Sequence, residues 1–228
     1  MLFRQQYTLA FTAFSAVCLL IAATAQAGEV LIKDERGEPL QGAVLVQFQS
    51  ESDSASREPQ VHIMDQVNRQ FAPQQIVIRN GDFVNFPNSD NVRHHVYSFS
   101  SAKTFELELY RAGTAEDMEF PTQGIVVVGC NIHDQMRGHI VVSGSDLTAT
   151  SDENGTLTFN DEWTGLGDWY VFHPWMSDQG LEPIAVDLSS WSQTDGQSEY
   201  MIPVTRPRRD RGSELENRFR RRGTGGGY

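Results

Sequence analysis

Ile125-Val126-Val127-Val128-Gly129-Cys130-Asn131-Ile132-His133-Asp134-Gln135-Met136-Arg137-Gly138-His139-Ile140-Val141-Val142 sets a polar loop between two apolar, β-branched runs. Short runs of Val and Ile bounded by Gly read as strands buried in a sheet. The loop between them carries a thiol at Cys130, an imidazole at His133 and a thioether at Met136, all within seven residues. A short loop pinned at both ends by strands suits a metal site of fixed geometry, because the scaffold sets where the donors lie.

The same strand signals recur outward along the chain. Val30–Lys33, Ala43–Phe48, Gln75–Ile78, Phe83–Phe86 and His95–Phe99 are short, apolar or alternating, and bounded by turns. Asn80-Gly81 signals a hairpin, and Asp34-Glu35-Arg36-Gly37-Glu38-Pro39 a further turn. Ala115–Phe120 has room for a helical turn, but long helical periodicity is absent. Many short strands with frequent turns imply an all-β, Greek-key sandwich. A second small β-sandwich-like unit is expected after Ser143, with strands at Leu147–Thr150, Thr156–Phe159 and Trp169–Phe172. Its four tryptophans, Trp163, Trp169, Trp175 and Trp191, read as an aromatic core rather than a carbohydrate platform. His173 before Pro174 reads as a packing or capping residue. The expected division is therefore an export signal over 1–27, a first domain over 28–143, a second over 144–205, and a disordered Arg- and Gly-rich tail over 206–228.

Arg4, the apolar run Thr8 to Thr24 and the small-x-small step Ala25-Gln26-Ala27 read as a secretory signal. The run is short for a membrane span, so a soluble periplasmic protein starting near Gly28 is expected. Cleavage would remove Cys18 and leave Cys130 as the one thiol, unable to form an internal disulfide. An unpaired thiol is unusual in an oxidising compartment, and a bound metal would protect it. From Pro203 to Tyr228 there are eight Arg against three acidic residues, while the rest of the mature chain has nine Lys or Arg against 27 Asp or Glu. So acidic a body repels nucleic acid and anionic membranes and favours basic partners.

Two imidazoles and a thiolate with a weak axial thioether define a blue-copper site, and structural zinc rarely recruits Met. A second imidazole must come from elsewhere, and Asn91-Val92-Arg93-His94-His95-Val96-Tyr97 offers two. Alternation puts His94 with Val96 and Ser98 on one face, and His95 with Tyr97 and Phe99 on the other, leaving open which faces inward. The plainer readings are a buried structural Cys130 and a gap-filling Met136; loop spacing and strand context weigh against them. His62 and His139 lack a partner at ligand spacing and read as surface or packing residues. Glu106, Glu108, Glu116, Asp117 and Glu119 read as a solvated acidic face, with docking of a basic partner as the sharper alternative.

Gly81-Asp82-Phe83-Val84-Asn85-Phe86, His94-His95-Val96 and the Cys-x-x-His-x-x-Met loop together resemble the cupredoxin family, especially amicyanin and pseudoazurin. Met136-Arg137-Gly138 is amicyanin-like. The stretch Asp65–Pro73, with Phe86-Pro87-Asn88 and Gly129–Asp134, is similar to exported methylamine-utilisation or plastocyanin-like proteins, and the resemblance spans Val61 to Val142. It implies a cupredoxin sandwich holding one type 1 copper ion on His94, Cys130, His133 and Met136. In that family Asn follows the first ligand and ties the two ligand loops, so His95 here either assumes that task or alters the site. The turns Asp34–Ala43 and Thr150–Gly155 resemble carboxypeptidase-regulatory-like β repeats. The implied function is one-electron transfer with His133 as the exit ligand, without enzymatic activity. The implied partner is a redox protein with a basic docking face, such as a c-type cytochrome or a dehydrogenase. A copper-handling periplasmic protein is the alternative, and a metal-free scaffolding sandwich comes third.

Overall fold

The computed structural model describes residues 27–48, 57–111, 113, 116–191 and 198–207. Residues 1–26 of the expected export signal, with Arg4 and Cys18, and the tail from 208 onward lie outside the described residues, while Ala27 opens the first strand. The fold is nearly all β, as expected. In chain order the strands begin with β1 (Ala27–Lys33), β2 (Val44–Gln47), β3 (Val61–Ile63), β4 (Asp65–Val67), β5 (Gln70–Ala72), β6 (Gln75–Arg79), β7 (Asp82–Asn85) and β8 (His94–Ser100). They continue with β9 (Lys103–Tyr110), β10 (Met118–Phe120), β11 (Gly124–Gly129), β12 (Arg137–Ser143), β13 (Ala149–Thr150), β14 (Thr156–Asn160), β15 (Trp169–Phe172), β16 (Ile184–Val186) and β17 (Ser198–Met201).

Why Ile140-Val141-Val142 is apolar without interruption follows from its place in the sheet. β12 lies inside the five-stranded sheet β6-β12-β11-β8-β9. Ile140 and Val142 join Val126, Val128, Val96 and Ile78 in one core, shared with Val84 and Phe120 from the sheet β10-β7-β3. Val141 points the other way, into a second core with Val30, Ile32, Leu45, Leu157 and Phe172. A strand covered on both faces needs apolar residues at every position.

The expected first domain over 28–143 is corrected at its start by the strand pairing. β1 pairs antiparallel with β14 and parallel with β17, and β2 pairs with β13 and β15. Residues 27–48 therefore belong with the chain after 144, not with 57–143. Local turn signals locate strands; they do not say that an edge more than a hundred residues away will complete the sheet. The tryptophans do pack there: Trp163 stacks on Trp169 at 5.3 Å and Trp191 meets Phe159 and Tyr200.

Two local expectations also change. Asn80-Gly81 does turn the chain, with Gly81 at φ 88°, but it joins β6 and β7 of different sheets. The Asn80 amide donates to the Ser143 carbonyl and the Gly81 amide to that of Phe120, so the turn is fixed by neighbouring strands and not by a hairpin ladder. The end of the expected helical turn, Met118–Phe120, is extended against β7, while Ala115 is outside the described residues. His173 caps the short helix α1 (Pro174–Asp178), its Nδ1 accepting from the Trp175 amide at 3.2 Å.

Candidate metal centre

The loop after β11 closes on itself. The Cys130 amide donates to the Met136 carbonyl at 3.2 Å, and the Met136 amide to that of His133 at 2.8 Å. β12 then starts directly opposite, with Arg137 in register with Gly129. Gly138 is tightly packed beneath the loop, since a Cβ there would sit 3.0 Å from Val128 Cγ2 and 3.2 Å from Phe71 Cβ. Cys130 continues the inward face of Val126 and Val128, and both it and Met136 are buried in that core. His133, on the turn, is half-buried.

His94 opens β8 and answers the question left by alternation. It is fully buried, with Val96 and Ser98 on the same inward face, whereas Phe99 on the other face is 80% exposed. Its Nδ1 lies 3.8 Å from Cys130 Sγ, and His133 Nδ1 lies 3.6 Å from the same sulfur. The three donor atoms are all within 4.8 Å of one another, and among the described residues no other such group of His, Cys, Asp or Glu is found.

His95 turns away. Its Nε2 bonds Glu106 Oε1 on β9 at 2.8 Å, so that bond does not tie the ligand loops. A residue that the sequence reading passed over, Asp90, is aimed at the site. Its Oδ2 lies 3.1 Å from His94 Nε2 and accepts the Arg69 amide at 2.7 Å. Asn88 shapes this segment, its Oδ1 accepting the Asp90 amide and its Nδ2 donating to the Val92 and Tyr110 carbonyls. The one sequence signal was an acid four residues before a histidine.

The electrostatics favour ligand forms. Burial, with help from His94 and Arg69 and against an opposing effect of Asp90, lowers the His133 pKa and so favours the neutral ring. The Arg69 amide and His94 hold the Asp90 carboxyl below its usual range against a smaller opposing effect of burial. The donor set fits copper: one thiolate sulfur and two imidazole nitrogens converge, with a thioether buried on the same loop. Sulfur–nitrogen separations of 3.6 and 3.8 Å suit donors each about 2.0–2.3 Å from a shared ion.

No family model and no curated protein sequence matches the chain. Among solved structures, an oxidised amicyanin variant is 19% identical with a TM-score of 0.33, covering 36% of this chain and 80% of that one. A reduced amicyanin variant is 18% identical with a TM-score of 0.35, covering 44% and 98%. A Cu-containing nitrite reductase from Thermus scotoductus SA-01 is 24% identical with a TM-score of 0.35, covering 41% and 25%.

Proposed function

We propose that the protein binds one type 1 copper ion on His94, Cys130 and His133, with Met136 as the axial donor, and carries single electrons between periplasmic redox proteins. The observation that carries this reading is the convergence of His94 on Cys130, 36 residues away in sequence, and on His133, with Asp90 holding the other ring nitrogen of His94. Copper, when bound, supplies a reversible change between Cu(II) and Cu(I). The chain supplies the rest. Cys130 gives a thiolate at the end of a buried strand, Asp90 orients His94, and the closed loop holds His133 and Met136 in fixed relation. Burial of His94, Cys130 and Met136 limits access of water to the donors, and four protein donors would leave no position for a substrate. His133, the more exposed ligand, is the exit for the electron.

The acidic body favours a basic partner, such as a c-type cytochrome, in a small and salt-sensitive contact. Export rests on Ala25-Gln26-Ala27 and the apolar run before it. Among the described residues no helix is long and apolar enough to cross a membrane.

Adding Cu(II) to the purified mature protein should produce an intense visible thiolate-to-copper band that Cys130→Ser abolishes. A colourless adduct, or a band that survives Cys130→Ser, would sink the reading. If the band forms but copper is readily lost to a chelator and no electron passes to a cytochrome c, copper handling replaces electron transfer.

A further inference from the structure

One face of the five-stranded sheet is covered on one side only. On the β6–β12 side, Val77 and Val141 pack into the second core, His139 meets Phe172, and Arg137 pairs with Asp178 of α1. On the β8–β9 side the same face is open. Tyr97 lies opposite Glu106 and Phe99 opposite Thr104. Tyr97 packs on Phe99 at 5.2 Å and His95 on Tyr97 at 5.6 Å, so the exposed Phe99 and the half-buried Tyr97 and His95 form a row. Glu106 is in this row and Glu108 follows it by alternation, both exposed, while Lys103 turns to the other face over Phe120. A cleft of about 480 Å³, lined by Tyr97, Phe99, Cys130, Met136 and Arg137, separates the covered from the open half. A row of aromatic rings beside carboxylates, left in water on a sheet face, marks an interaction site.

We propose that this face docks the chain's own Arg-rich segment, residues 208–222. The chemistry is complementary: residues 208–228 hold seven Arg against three acids, and the sequence includes Arg218-Phe219-Arg220-Arg221-Arg222. Guanidinium groups stack on aromatic rings and pair with carboxylates, which is what Tyr97, Phe99, Glu106 and Glu108 present. The chain already uses this mode once, with the Arg206 guanidinium 5.6 Å from the Trp175 ring. The same contact places the root of the segment. Trp175 belongs to α1, whose Asp178 pairs with Arg137 at the rim of the cleft. A five-residue helix is only about 7–8 Å long. An extended chain advances about 3.3 Å per residue, so the first ten residues of the segment span that gap several times over. Docked there, the segment covers the Tyr97 side of Cys130 and competes with any basic partner. The inference goes beyond the copper reading and does not depend on it.

Hydroxyl-radical footprinting of the metal-free full mature chain tests this. In wild type at about 20 mM salt, Tyr97 and Phe99 should be oxidised at least about threefold more slowly than in the variant Arg218→Gln, Arg220→Gln, Arg221→Gln, Arg222→Gln, and about 0.5 M salt should erase the difference. Glu106→Gln with Glu108→Gln should match the arginine variant. Equal rates in wild type and the arginine variant at low salt would overturn the proposal. Protection that vanishes on dilution would also overturn it, by assigning the face to a second copy.

Discussion

Asp90 is the residue on which the geometry of His94 turns. An imidazole that presents Nδ1 to a metal must dispose of its Nε2 hydrogen, and a buried one does so only with a fixed acceptor. The Asp90 carboxylate at 3.1 Å is that acceptor, itself held by the Arg69 amide. Replacing such an acceptor around a metal-binding His costs about 10–100-fold in metal affinity. Asp90→Asn should therefore weaken Cu(II) binding by about that factor in a competition titration, with the thiolate band retained. His95→Ala, altering the opposite face of β8, should leave affinity within about twofold. If the two variants behave alike, Asp90 does not orient the ligand. The loop donors Cys130, His133 and Met136 were legible because they are close in sequence on one strand-flanked loop. His94 against His95 was not, since alternation defines two faces and only the sheets that cover them decide which is inside.

At the scale of elements, Asp82 at the start of β7 ties β6 to the sheet β10-β7-β3, with which β6 shares no ladder. Its carboxylate takes two hydrogen bonds from Arg57, one each from the Gln60 and Arg79 amides, and lies 2.9 Å from His62 Nε2. Burial opposes ionisation, but Arg57, the Gln60 amide, His62 and the Arg79 amide together outweigh it and hold the pKa at about 2. The folded value lies below the unfolded one near 3.8, so the carboxylate stabilises the fold above that pH. This contribution is lost as pH falls from about 4 to about 2, and amounts to roughly 2 kcal/mol. Urea midpoints should drop across that window in wild type and change less in Asp82→Asn; parallel curves would show the clamp to be inert. The element also shows where the sequence reading stopped. Asn80-Gly81 signals a hairpin, but the amides around it answer to Ser143, Phe120 and Asp82, all set by tertiary contacts.

Across the whole molecule, β12 is the element both cores share, and its outward face carries a buried histidine at their junction. His139 is 5% exposed, its ring 5.9 Å from Phe172, and its Nε2 has no hydrogen-bond partner among the described residues. Beside it His173 caps α1 and bonds the Gln41 carbonyl through Nε2. Burial is the main cause that lowers both rings to about 4, with Arg137 adding at His139 and His139 adding at His173. Unfolded, each titrates near 6.5. The unfolded chain thus takes up protons first, and stability that is complete above about pH 6.5 declines as pH falls towards 4. The loss has an upper bound of about 3 kcal/mol for each ring. This window lies above that of Asp82, so one series of urea titrations on the metal-free protein reads both. His133 contributes in the same direction, but equally in wild type and in His139→Gln, so their difference isolates the junction. His139→Gln should flatten the decline between about pH 6.5 and 4.5. Identical slopes would mean that His139 takes up its proton without opening the junction, and that the two cores are joined less tightly than the shared strand implies.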